Sequence, residues 1–256
     1  MPPQQSPSNG WIAKSSTLVE KAVEIKTVDG VCDAVFFHPP AGRYAAVILW
    51  ADSAGLRPLM RVMARRLAEK GYAVLLPNPF YRAAKTPSFE TDINLAFNNS
   101  FGSTYAQAAV VVDAFALINF LDSQPAVNRK LKFGTHGYGA GGALAVRTAA
   151  ALGKRIGACA SFHGRDLVTD RPDAPYLLSG RIKASMLFAI ARSDDDKEPD
   201  AKEKLQHSFA AAQVPVTLEV FPQAHGWCIS DKPAYDEADA ERAWSALLAL
   251  YERTLV

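Results

Sequence analysis

Leu131-Lys132-Phe133-Gly134-Thr135-His136-Gly137-Tyr138-Gly139-Ala140-Gly141-Gly142 runs into four closely spaced glycines and then into the helix-forming Ala-Leu-Ala-Val of residues 143–146. A strand over residues 131–135, a tight glycine-rich turn and a helix over 140–152 are the expected reading. The same unit recurs on both sides. Upstream, a short apolar strand at 45–50 is followed by a loop at 51–55. Leu59, Val62, Met63 and Leu67 then recur at helical spacing, and the helix ends before Gly71. A strand at 73–76 follows, then a turn-rich loop over 77–100 long enough to be a lid or pocket wall, and a helix over 104–121. Downstream come strands at 156–162, 184–190 and 217–221 and helices at 201–212 and 235–251. Residues 23–27 and 32–38, joined at Asp29-Gly30, read as a hairpin.

Strands alternating with helices describe an α/β chain with a mostly parallel sheet covered on both faces. Ligands of such sheets meet the loops beyond the strand carboxyl ends: 52–55, 78–82, 136–142, 161–165, 192–196 and 223–227. No repeat or interior linker divides the chain, so residues 1–22 are expected to be an N-terminal extension and 23–256 a single domain.

The 256 residues are 49% hydrophobic and 21% charged, enough for one large core. With 28 basic and 26 acidic side chains, the net charge of +2 gives no sign of a nucleic-acid partner. Cys32, Cys159 and Cys228 are too few and too far apart for a disulfide framework or a metal knuckle. The Pro-, Gln- and Ser-rich start has neither the basic residues nor the apolar run of a signal peptide, and no apolar stretch reaches a membrane span. A cytoplasmic, reducing setting is expected, with no membrane partner; monomer and homodimer remain equally open.

Gly137, Gly139 and Gly142 spell the G-x-G-x-x-G of a phosphate cradle. The following strand, however, ends at His163 rather than at an acidic residue, and Asp166 lies further along behind Gly164. Close helix–sheet packing explains these glycines better. The alternative is a nucleophile elbow, G-x-Nuc-x-G, with outer glycines at 137 and 141. Its centre is then Gly139, which has no atom with which to attack.

The stretches 51–57, 71–82, 134–142, 189–199 and 221–227, in this order and spacing, resemble the dienelactone hydrolase family of α/β-hydrolase proteins from about residue 23 to 250. The resemblance implies a three-layer α/β-hydrolase fold without an organic cofactor, acting on a small ester, lactone or aromatic carbonyl compound. The family elbow reads G-Y-C-x-G-G, and its nucleophilic Cys falls on Gly139. The family histidine falls on His225 of His225-Gly226-Trp227, its acid on Asp194 with Asp195 as the alternative, and a further carboxylate on Asp52. The resemblance places oxyanion donors at the N–H groups of Ser53 and Ala140, and Arg82 near a position where family members hold a substrate carboxylate.

Read from the residues, His225 is a candidate base, since an imidazole whose far nitrogen meets a carboxylate is fixed in one tautomer. Asp194, Asp195 and Asp196 equally suit a solvated turn or a hard cation. Asp52 can orient a water, hold a proton or cap the next helix. Ser53 is the nearest hydroxyl but does not stand at the elbow. His163 can hydrogen-bond substrate, while His136 and Tyr138 can simply pack beside the turn. Phe80, Tyr81 and Trp227 suit an aromatic wall with Arg82 at its rim, or ordinary core. No metal spacing such as H-E-x-x-H is present. Three functions follow: an enzyme in which His225 and an aspartate activate water or remove a substrate proton, a family member disabled at Gly139 that binds without turnover, and a non-enzymatic small-molecule binder.

Overall fold

The computed structural model describes residues 18–83, 85 and 107–256. Most of the long loop expected over 77–100, the first residues of the helix expected from 104 and the chain before Leu18 lie outside them. Eight strands form one sheet in the order β1-β2-β4-β3-β5-β6-β7-β8. They are β1 Val19–Thr27, β2 Gly30–His38, β3 Ala46–Trp50, β4 Ala73–Pro77, β5 Phe133–Tyr138, β6 Ile156–Phe162, β7 Ser185–Ala191 and β8 Val216–Phe221. Only β2 runs against its neighbours; β3 to β8 are parallel.

The residue patterns explain the positions. Ala46–Trp50 and Ala73–Pro77 are buried along their whole length, as continuous apolar runs in a sheet covered on both faces should be. Each buried Val, Leu or Ile there contributes about 1.5–3 kcal/mol relative to exposure. Edge strand β1 instead carries Glu20, Lys21, Glu24 and Lys26, and charges of this kind discourage pairing with another chain. Helices Pro58–Ala68 and Glu237–Thr254 bury Met60, Leu67, Trp244 and Leu247 on one face of the sheet. Helices Gln107–Ser123, Ala140–Leu152 and Ala201–Ala211 bury Leu117, Leu144 and Leu205 on the other. The result is a three-layer α/β fold of α/β-hydrolase architecture.

Three boundaries differ from the sequence reading in informative ways. Strand β1 begins at Val19 rather than 23, because its register with β2 continues to Val19↔His38. Strand β5 runs on to Tyr138, since Gly137 and Tyr138 pair with Ser161 and Phe162. The last helix starts at Glu237, where the Asp236 side chain accepts a hydrogen bond from the Asp239 N–H and caps it.

The chain places β4 on one side of β3 and β5 on the other, so the strand order reverses at β3. A crevice at such a reversal is the expected ligand site of an open parallel sheet. Two short peptides meet there, the loop after β3 and the turn after β5.

Candidate active site

The turn after β5 is built by close backbone approach. A Cβ at Gly137 would lie 2.0 Å from the Gly141 carbonyl oxygen, and one at Gly142 would lie 2.2 Å from Ser161 Oγ. Only glycine fits either place. Gly139 is different. Its backbone is strained for any side-chain-bearing residue, with φ +53° and ψ −119°, yet a Cβ there would meet nothing nearer than 3.7 Å. The atoms at its edge are Nε2 of His225 at 3.7 Å, Nδ1 of His163 at 3.7 Å and the Asp52 Cβ at 3.8 Å. The elbow is stitched to β6 by Gly139 N–H to the Phe162 carbonyl (3.0 Å) and Arg165 N–H to the Gly139 carbonyl (3.1 Å).

His225 arrives from the loop after β8, its backbone N–H donating to Ser193 Oγ at 2.9 Å. Its Nδ1 lies 2.6 Å from Oδ2 of Asp194, which stands in the short helix Arg192–Asp195 after β7. An ionised carboxylate only accepts, so Nδ1 carries the proton and Nε2, toward Gly139, is left as a base. Partial burial pushes the Asp194 carboxyl up, but the hydrogen bond and charge of His225 more than offset this and hold it below the ordinary carboxylate value. Asp195 points elsewhere: it is buried and paired with Lys202 (2.9 Å) and Arg192 (3.2 Å). Both acids therefore turn inward, and Asp196 faces water.

Asp52 is buried and fully engaged. Its carboxylate takes a two-pronged ion pair from Arg57 and a hydrogen bond from the Ala54 N–H at 3.0 Å. Arg57 also grips Asp231 through Nε (2.8 Å) and Nη2 (3.0 Å). One guanidinium thus ties the loop after β3 to the loop that follows His225. Asp52 does not cap the next helix, which starts at Pro58 with Arg57 at its N-cap and no side-chain cap. Ser53 is half-buried in the same turn, and Ala140 opens its helix, so its N–H has no intrahelical acceptor. The role of Arg57 was not legible in the sequence, since Asp231 lies far along the chain.

His163 is 2% exposed beside His225, ring centroids 4.6 Å apart. His136 is fully buried against the Tyr251 hydroxyl at 2.9 Å, and Tyr138 stacks on Phe162. Trp227 is fully buried and stacks on Phe221 at 4.2 Å. The Tyr81 hydroxyl donates to Asp113 at 2.7 Å and bonds Thr27, while Arg82 pairs with both Asp113 and Asp29. The structure therefore does not bring Tyr81, Arg82 or Trp227 to His225. A cavity of about 300 Å³ lies beside His225 and Asp194; Leu167, Val168, Ile190 and Leu205 line it together with the charged Arg165, Asp195, Lys197, Glu198 and Lys202, and neither Gly139 nor His163 is among its lining residues. Larger hollows exist over Tyr176 and between helix Pro58–Ala68 and the C-terminal helix, but neither reaches Gly139, His163 or His225. Among the described residues, no cluster of His, Cys, Asp and Glu is gathered as metal ligands, and no helix is long and apolar enough to cross a membrane.

A model of the dienelactone hydrolase family matches residues 32–255. The chain belongs to the dienelactone hydrolase family. It is 25% identical over 222 residues to a provisionally assigned carboxymethylenebutenolidase of Synechocystis sp., covering 84% of this chain and 88% of that one. A counterpart in Yersinia pestis is 23% identical, covering 81% and 77%. In fold it is similar to the dienelactone hydrolase of Anabaena variabilis, with a TM-score of 0.68, 20% identity and coverage of 93% and 99%. It is also similar to a dienelactone-hydrolase-like promiscuous phosphotriesterase from metagenomic libraries, with a TM-score of 0.73, 22% identity and the same coverage. Family membership makes this a small-molecule enzyme scaffold of the hydrolase superfamily.

Two expected results follow from the site. Burial pulls both His136 and His163 from 6.5 down to about 3, with His225 adding to the effect at His163. Between those values the unfolded chain binds protons that the folded chain does not, so stability falls on acidification. At about pH 5 each histidine is expected to cost about 2 kcal/mol. Asp194 acts in the same direction: its depressed value gives stability that is present above the ordinary carboxylate range and lost as pH falls through the folded value. Thermal melts at neutral pH and about pH 5 should show the drop, and His136→Phe should reduce it. A melting temperature insensitive to this change of pH would count against neutral buried imidazoles.

Arg57→Met should destabilise the fold by about 3–5 kcal/mol, because it removes the two-pronged partner of the buried Asp52 carboxylate and leaves it only the Ala54 N–H and Lys232 Nζ at 4.0 Å. Adding Asp52→Asn should recover part of the loss. Denaturant unfolding of the single and double variants checks both statements.

Proposed function

We propose that this family member hydrolyses a small ester, lactone or related carbonyl compound by direct attack of water, with His225 as base and Asp194 as its partner. The family's elbow cysteine corresponds to Gly139, so a covalent acyl-enzyme has no side chain on which to form. The observation that carries the reading is that the imidazole–carboxylate pair is nevertheless complete and aimed at the elbow. Nε2 of His225 lies 3.7 Å from where a Gly139 Cβ would stand, and its Nδ1 is 2.6 Å from Asp194.

Water gives its proton to Nε2 as its oxygen bonds to the carbonyl carbon, and the C=O pair moves onto oxygen. The N–H groups of Ser53 and Ala140 receive that charge, and Asp194 stabilises the imidazolium. When the tetrahedral species collapses, the C–O bond to the leaving group breaks and the departing oxygen takes the proton from Nε2. General-base assistance of this kind is worth about 10²–10⁴-fold. The cavity beside His225 is lined by Leu167, Val168, Ile190 and Leu205 and by Arg165, Lys197 and Lys202, which suits a small substrate with both apolar and polar parts.

A second reading has one feature in its favour. Gly139 relieves the elbow strain that a side chain there would carry, which suits a protein that keeps its pocket and binds without turnover. A single-turnover experiment separates the two. With enzyme in excess over an activated ester or lactone, acid and leaving group should appear together and intact-protein mass should show no acyl adduct. An adduct would overturn water attack. Saturable binding with no product would establish the second reading.

A further inference from the structure

His163 has no task in the scheme above, and its setting is unusual. It is 2% exposed, and neither ring nitrogen has a hydrogen-bond partner among the described residues. Its backbone sits at φ +38°, in the left-handed region that a side-chain-bearing residue seldom adopts. That conformation is held from both sides: His163 N–H donates to the Ala189 carbonyl at 2.7 Å, and the flanking Phe162 and Arg165 are bonded to Gly139. The outcome is an imidazole set edge-on to His225 with its Nδ1 facing the same point as His225 Nε2. Burial, reinforced by the neighbouring His225, keeps the ring neutral, with its protonation pulled down to about 3. It is therefore a hydrogen-bonding group rather than a second base at neutral pH.

We propose that the point bounded by Gly139, His163 Nδ1 and His225 Nε2 is a subsite for a diffusible acyl acceptor, either water or a small protic nucleophile such as methanol or hydroxylamine, so that the chain transfers acyl groups as well as hydrolysing them. This rests on the proposed water-attack reading and extends it. An acceptor hydroxyl donates its proton to His225 Nε2 and accepts a hydrogen bond from His163 Nδ1–H, which leaves a lone pair directed at the carbonyl carbon. The O–H bond breaks and the acceptor–carbon bond forms. The C=O pair then returns, the bond to the leaving oxygen breaks, and that oxygen takes the proton held on Nε2. The net change is ester plus alcohol giving a new ester plus the departing alcohol, with no oxidant or reductant. Asp52, whose Cβ lies 3.8 Å from the Gly139 Cβ position, bounds the third side.

The test uses the full chain with 4-nitrophenyl acetate and increasing methanol, with methyl acetate and acetate measured separately. Methyl acetate is expected to form above the uncatalysed rate and to saturate with methanol. His163→Phe should lower kcat at least tenfold and remove the saturation, with the ester KM within twofold. His163→Asn, which keeps a polar atom near the Nδ1 position, should restore part of both and remains informative if the Phe variant does not fold. Methyl acetate that rises linearly with methanol, equally in wild type and in either His163 variant, would overturn the subsite. Hydrolysis that depends on His225 without any methyl acetate would overturn the subsite alone. If His225→Ala and wild type release nitrophenol at equal rates without methyl acetate, both the subsite and the water-attack reading fall.

Discussion

Gly139→Cys is expected to give a thiol-dependent esterase, with turnover of an activated ester raised about 10²–10³-fold over the parent chain. The position accepts the side chain sterically, because a Cβ there makes only ordinary contacts, the nearest at 3.7 Å. Its direction is set by the elbow: the new sulfur would extend toward His225 Nε2 and His163 Nδ1, where an imidazole can draw the thiol toward thiolate. The cost is backbone strain, since φ +53° is easy for glycine and costs about 1–3 kcal/mol for cysteine. A lower melting temperature with higher activity is the combined signature. Iodoacetamide should abolish the gained rate, and intact mass should show an acyl adduct during turnover. A folded variant whose thiol neither alkylates faster than free cysteine nor acylates would show that the pair is not aligned on the elbow.

His225→Ala should reduce kcat of the parent chain by about 10²–10⁴-fold while leaving KM nearly unchanged, the pattern of a group that acts in the transition state. The side chain of His225 is 34% exposed, so its removal leaves no large void and the fold should persist. Asp194→Asn should lower the rate in the same direction by disturbing the tautomer, because an amide can offer Nδ1 a donor instead of a carboxylate oxygen. Since the Asp194 carboxyl is held below its ordinary value, the carboxylate that accepts from Nδ1 persists through the ordinary carboxylate range, and the rate should show no loss from its protonation there. Steady-state kinetics across pH with an activated ester check this. An unchanged kcat in His225→Ala would remove it as the base.

Legibility differed sharply between parts of the chain. Strands β3 to β7 were readable because buried parallel strands are short apolar runs between turns, and β1 and β2 because Asp29-Gly30 marks a hairpin between them. Their ends were less so, since pairing decides them: Tyr138 became strand by lying beside Phe162, and Val19 by lying opposite His38. Local chemistry set the last helix start at Asp236, although apolar spacing alone suggested an earlier one. The choice between Asp194 and Asp195 needed coordinates, because adjacent residues in a short helix diverge in direction. One meets His225 and the other Lys202.

Arg82 and Trp227 are placed by partners that their neighbours in sequence do not reveal. A basic residue beside aromatics reads as a pocket rim, yet Asp113, distant in sequence, draws Arg82 into a half-buried ion pair, and Phe221 draws Trp227 into the core. By itself, the order of residues determined the layered α/β architecture and the run of glycines that turns the chain after β5, because periodicity, turn chemistry and residue identity are properties of the chain. Only the tertiary structure decided that His225, paired with Asp194, and His163, whose ring has no hydrogen-bond partner among the described residues, converge on Gly139 while Asp52 is held by Arg57. Convergence depends on strand order and on ion pairs between segments far apart along the chain, and neither is encoded at any single stretch of residues.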